Sequence, residues 1–315
     1  LAKDPIPMLL REGSPALAAR IRRELIDDDE APKADEILSY AEVKAFLKKQ
    51  GKKGEFAAKP PEKALGPEPF ATALSTLRAL ERCNEFGLGV EVPEVKAAAE
   101  FLLGSQDAEG ALASLAVGEK KTDKPKHVAV HFQGWALGAL CKAGLDADPR
   151  VDKGFRWLLG SRQADGGWAW RGVRTESAAR PSSHLVTGMA LRAFAASPSR
   201  RSSREARRAA ELLATRFLQP DRYPDRKAAR FWEEIVEPRL WTDVTDALDT
   251  VTSVGLGKEN SGVRTAEAYV RGRQTKDGLW YPGGPDEVPK EPSTKEKEEA
   301  RWLTVRTLVV LRRVN

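Results

Sequence analysis

The stretch FRWLLGSRQADGGWAW, Phe155 to Trp170, joins the end of an apolar helical pattern to a turn written Gln-x-Asp-Gly-Gly-Trp. A second copy stands at Gln274 to Trp280, with the turn glycine at Gly278. Weaker copies are Gln50, Gly54 and Phe56, and then Gln106, Gly110 and Leu112. A unit that recurs at intervals of tens of residues marks a repeat architecture, so the repeat governs every local assignment.

Working outward, each turn closes a pair of helical patterns. The first round predicts helices over 16–25 and 39–49, with Ser14 as N-cap and Pro15 in the first turn. Later rounds predict pairs at 70–86 and 95–105, 127–143 and 151–161, 183–196 and 203–218, and 242–254 and 262–273, with a last helix over 301–313. Leu80, Leu140, Phe194, Val251 and Leu308 recur at steps of 60, 54, 57 and 57 residues. Stretches such as HFQGWALGALCKAGL are apolar on most faces and read as buried; REARRAAELLATRF carries charge on one face and reads as outward-facing. Six inner and five outer candidates suffice for two concentric rings, which leave no exposed solenoid end. The expected fold is all-α, a single α/α toroid of about six helical hairpins over residues 1–315. Residues 1–68 form a more divergent first hairpin and loop, and 69–315 the regular repeats.

Gln-x-x-Gly-x-Trp after an outer helix resembles the QW motif of squalene and oxidosqualene cyclases, whose repeats are related to those of protein prenyltransferase β subunits. The resemblance covers most of the chain and is specific at Gln163 to Trp168 and Gln274 to Trp280. It implies the α/α toroid, and it implies that Gln163, Trp168, Gln274 and Trp280 are staples rather than catalysts. Helix ends leave carbonyls unpaired, and an amide beneath an indole can satisfy and cover them. The family's Asp-x-Asp-Asp proton donor and its Asp-x-Cys zinc landmark are both absent. The implied function is a prenyltransferase-like or terpene-cyclase-like protein that binds a hydrophobic isoprenoid in its cavity. The alternative is a non-catalytic toroid that binds a protein, peptide or lipid.

No apolar run is long enough to span a bilayer, and no signal-peptide pattern opens the chain, although its first residue, Leu1, leaves room for a removed upstream segment. Cys83 and Cys141 are too few for a disulfide framework, so a reducing cytoplasm is expected. The net charge is +6. The basic run Arg200, Arg201, Arg204, Arg207 and Arg208 lacks interleaved aromatics, so it reads as a solvated face and not as a nucleic-acid site.

Candidate site residues cluster where inner helices begin. His127 and His131 are four apart and so share a helix face; with Asp243 they would make a three-ligand zinc site with one open position. The competing reading is that they serve ordinary helix starts, and no metal site is assigned. Asp246 and Asp249, on a helix with little access to water, are the carboxylates that would hold Mg²⁺ for a diphosphate or donate a proton. Asp243 is placed to cap that helix. The expected catalytic set is Asp246, Asp249, His131 and His184. The expected ligand-binding set is Trp135, Trp170, Arg171, Trp241 and Trp302. Arg174, Arg192, Arg301 and Arg306 would serve an anionic group or, more simply, pair with the buried aspartates. Phe70, Phe132 and Phe194 would complete an apolar lining or simply a core.

Overall fold

The computed structural model describes residues 3–59, 62–117, 127–170, 181–221 and 229–314. Its inner helices are Pro15–Glu24, Glu68–Phe86, Val130–Leu140, His184–Ala196, Val244–Ser253 and Thr294–Val314. Each packs on the next and the last packs on the first, which closes a ring of six. Outside it lie Ile6–Glu12, the pair Ala34–Ser39 and Ala41–Leu47, then Pro93–Leu103, Pro149–Gly160, Arg204–Ala214 and Ser261–Gly272. This is the expected all-α toroid.

Burial follows the sequence pattern. Every residue of Val130–Leu140 is buried. On Arg204–Ala214 only Ala206, Ala209, Ala210, Leu213 and Ala214 are, an i, i+3, i+4, i+7, i+8 stripe. Gly134 and Gly138 let the third inner helix touch the fourth. A Cβ at Gly134 would stand 2.4 Å from the Ala190 Cα, and one at Gly138 would stand 2.9 Å from the Arg192 carbonyl oxygen.

The turns fasten neighbouring hairpins. Gln50 Nε2 donates to the Glu94 carbonyl at 2.7 Å, and Gln106 Nε2 to that of Arg150 at 2.8 Å. Each acceptor lies in the first turn of the next outer helix. Gln274 Nε2 does the same to Lys3, 2.6 Å away, and so ties the last turn to the start of the chain. Ile6–Glu12 is therefore a sixth outer helix, one more than the five that the sequence pattern predicts. Each turn glycine, including Gly54, Gly110, Gly166 and Gly278, has positive φ. The inner helices answer with one polar side chain apiece: Thr76, Gln133, Thr187 and Thr304 accept the N–H of Phe56, Leu112, Trp168 and Trp280.

Gln163 is the exception. Its amide is buried with no hydrogen-bond partner among the described residues. Arg162 takes the Gly166 carbonyl at 3.0 Å, and Arg208 of the next outer helix takes the Ala164 carbonyl at 2.9 Å. Arg162, six residues before Trp168 as Gln106 is before Leu112, thus takes the turn-glycine carbonyl that a glutamine takes elsewhere. Trp168 keeps its part, its Nε1 donating to the Leu158 carbonyl at 2.8 Å, as Trp280 Nε1 does to that of Val270 at 2.7 Å.

Three expectations change. His127 is not helical; His127–Val128 pairs antiparallel with Ala116–Val117, and the helix starts at Val130. The last inner helix starts at Thr294 rather than 301, because Ser293 and Glu296 form a reciprocal capping box. The helix expected over 39–49 is Ala41–Leu47, separated from Ala34–Ser39 by an extended Tyr40.

Candidate functional site

The ends of the inner ring differ. Where the inner helices begin, aromatic rings fill the axis. The His131 ring lies 4.2 Å from Phe132, 4.5 Å from Trp170 and 6.1 Å from Trp241. Phe132 in turn lies 5.1 Å from Phe70 and 5.9 Å from Trp241. His131 is fully buried. His184 is also buried but stands in another environment, stacked 4.3 Å from Trp232 with Asp221 at 3.5 Å. Ser183 Oγ donates to the same Asp221 carboxylate at 2.6 Å. The two histidines thus pack against different indoles, His131 on Trp170 and His184 on Trp232. The shared helix face proposed for His127 and His131 is lost with His127 in a strand. Among the described residues, no group of three His, Cys, Asp or Glu side chains is placed to hold a metal ion.

Below the aromatics, the segment 235–242 enters the ring and stops it. One end is pinned by paired backbone bonds between Ile235 and Gly283. Arg192 donates to the carbonyls of Leu240 at 3.3 Å and Trp241 at 3.1 Å, and Arg306 to that of Val236 at 2.9 Å. Thr242 Oγ1 donates to the Leu185 carbonyl at 2.9 Å. Asp243 caps the fifth inner helix by accepting from the Asp246 N–H at 2.8 Å, and also accepts from the Val236 N–H at 2.9 Å.

The stopper carries Glu237 and Arg239 into the middle of the ring. Asp246 accepts from Arg192 Nη2 at 2.8 Å and is also paired with Arg239. Burial pushes its carboxyl up, but the two guanidinium groups outweigh burial and hold it below the ordinary aspartate range. Asp249 pairs with Arg313 at 2.7 Å and Arg239 at 3.4 Å. There too burial is outweighed by the arginines, and the carboxyl is held low. Both expected proton donors therefore stand ionised at neutral pH with their oxygens engaged. Glu237 lies 3.4 Å from Arg306 and 3.6 Å from Arg82. Burial, reinforced by Glu85, pushes its carboxyl up to about 7. Glu85 is held low by Arg82 and Arg20 against its own burial.

Past the stopper, where the inner helices end, two adjoining cavities of about 330 and 300 Å³ form a charged funnel. They share Glu81, Lys142, Arg239, Asp249 and Arg313 as walls. Arg192, Arg201 and Ser253 add to the first, and Arg20, Glu85 and Arg306 to the second. Trp135 reaches the funnel wall, but its Nε1 is spent on Glu81 at 2.7 Å and Arg192 lies 5.4 Å over its ring. Trp302 packs under Arg82 at 4.4 Å and against Phe86 at 5.8 Å, away from the His131 cluster. Arg301 is turned toward Glu12 at 3.3 Å. Arg171 and Arg174 fall outside the described residues.

The sequence reading did not single out Glu81, Lys142, Glu237 or Arg239. A signal existed for Glu81, a charge on a helix otherwise buried on most faces. None existed for Arg239, because only the path of the stopper brings it to Asp246.

No protein-family model matches the chain, and no curated protein is detectably similar. Solved structures do resemble it. A protein from Actinoplanes superposes with a TM-score of 0.52 at 17% identity, covering 95% of this chain and 88% of that one. A variant of the type II terpene cyclase MstE from Scytonema, in complex with geranylgeranyl dihydroxybenzoate, superposes with a TM-score of 0.51 at 14% identity, covering 95% and 87%. The fold is thus terpene-cyclase-like, and no helix among the described residues is long and apolar enough to cross a membrane.

Proposed function

We propose that this chain is a non-catalytic binding toroid, which takes a polar, anionic molecule into the funnel where the inner helices end. The observation that carries this reading is the state of Asp246. A cyclase of the terpene type needs a protonated acid facing an apolar cavity. Asp246 is instead ionised and clamped by Arg192 and Arg239 beneath a stopper made of the chain itself. The open volume lies on the other side, and Lys142, Arg192, Arg201, Arg239 and Arg313 outnumber Glu81 and Asp249 on the wall of its larger part. Such a wall favours anions over a hydrocarbon.

A second reading keeps a hydrophobic, isoprenoid ligand and turnover, with Asp246, Asp249, His131 and His184 as the reacting set. It is favoured by the aromatic stack around His131, which would suit an isoprenoid if the stopper withdrew.

One pair of measurements separates the two. Incubation with geranylgeranyl dihydroxybenzoate, followed by product analysis, is expected to return the compound unchanged. A cyclised product that vanishes in Asp246→Asn overturns the binding reading and installs the second. In thermal shifts at constant ionic strength, small organic anions are expected to raise Tm while a neutral isoprenoid alcohol does not. The reverse order overturns the proposal.

A further inference from the structure

The acids and bases of the funnel wall are not equally occupied. Glu81 accepts from the Trp135 indole at 2.7 Å and lies 3.8 Å from Arg239, while Asp249 is held by Arg313 and Arg239. Arg192 is spent on Asp246 and two carbonyls. Lys142 and Arg201 also line the first cavity, yet neither side chain makes a hydrogen bond or ion pair to any described residue. Both are solvent-exposed at the funnel mouth. Lys142 follows the third inner helix directly, and Arg201 lies just past the fourth.

From this asymmetry we infer that Lys142 and Arg201 form an anion subsite at the funnel mouth, and that the group it takes is a phosphoryl dianion. The inference rests on the binding reading above and names its ligand class. A carboxylate carries one charge and satisfies one guanidinium edge-on in a plane. Two cations on separate elements call for a group with two charges and acceptors in several directions, which a tetrahedral phosphoryl group supplies. Ser253 adds a hydroxyl to the wall; it accepts from Arg313 at 2.7 Å and keeps its own proton to donate.

The test is calorimetric titration with inorganic phosphate and with phenyl phosphate at fixed ionic strength, with succinate as the carboxylate control. Wild type is expected to bind both phosphates more tightly than succinate. Lys142→Met and Arg201→Ala should each weaken phosphate about tenfold, since a charge-assisted bond is lost. Arg204→Ala, an exposed arginine outside the funnel wall, should change nothing. Circular dichroism and Tm confirm that each variant folds, as expected for side chains without partners. Phosphate affinity indifferent to both funnel substitutions overturns the subsite. If succinate binds better than phosphate and is the ligand lost in Lys142→Met, the phosphoryl class falls while the anionic funnel stands. If no anion binds at all, both fall. Tighter binding of phenyl phosphate than of inorganic phosphate would assign the site to a phosphoryl group on a larger molecule, and equal affinity to the free ion.

Discussion

Where the inner helices begin, His131, Phe132, Trp170 and Trp241 lie ring against ring with little room between them. Where they end, Glu81, Lys142, Arg239, Asp249 and Arg313 surround open volume. The ring is the same at both ends and the helices are continuous, so the difference is in the filling. Aromatic rings pack face and edge to contact and so fill the space between them. Paired charges keep water-sized space around them, because each oxygen and N–H has a preferred partner direction. The stopper at 235–242 separates these two regimes, with Trp241 on the aromatic side and Glu237 and Arg239 on the charged side.

The sharpest way to break that comparison is to remove the charge both arginines share. Asp246→Ala leaves Arg192 and Arg239 buried without their carboxylate and is expected to cost about 3–5 kcal/mol in denaturant unfolding. Phe132→Ala, at the aromatic end, is expected to cost about 3–4 kcal/mol through cavity formation. If Asp246→Ala cost less than about 1 kcal/mol, its ion pairs would not be holding the stopper.

The charged end should also answer to pH, with two opposite signs. Asp246 and Asp249 are held low, so their contribution is present above the ordinary aspartate range and lost as pH falls below it. Glu237 is raised to about 7, so the folded state holds its proton where the unfolded chain has released it. Its contribution is present below about pH 4.5 and lost as pH rises toward 7. Stability is expected to fall on the order of 2 kcal/mol over that interval, and Glu237→Gln to flatten the slope. An unchanged slope in that variant would move the effect elsewhere.

Smaller effects sharpen a second contrast, between turns of nearly the same sequence. Gln106→Ala breaks bonds to the Gly110 and Arg150 carbonyls and is expected to cost about 1–2 kcal/mol. Gln163→Ala removes an amide that makes no hydrogen bond among the described residues and should stay within about 0.5 kcal/mol of wild type. Equal losses at the two positions would mean that Gln163 finds a partner in solution.

The toroid was legible because its causes are local and repeated. Apolar faces at helical spacing, glycines at left-handed turn positions and a glutamine after each outer helix can be read one unit at a time. Even the errors left local traces, such as the Ser293 and Glu296 box that starts the last helix. The turn closest to the full motif turned out to be the one whose glutamine has no hydrogen-bond partner among the described residues, because Gln163 stands one residue past the place of the other glutamines, and Arg162 fills that place and takes the glycine carbonyl. The candidate site was legible only in part. Asp246 and Asp249 could be picked out as charges on a buried helix, and Arg192 as an arginine that would pair with such a carboxylate, but not the second clamp, Arg239, which arrives from the stopper.

By itself, then, the sequence of this protein determined the ring: helix periodicity and turn chemistry act over a few residues and repeat. Only the tertiary structure decided what fills the ring, because Asp246 meets Arg192, and Glu237 meets Arg82 and Arg306, from elements dozens of residues apart. Charge interactions at that range have no sequence period. They exist only once the chain has closed and brought the side chains within a few ångströms.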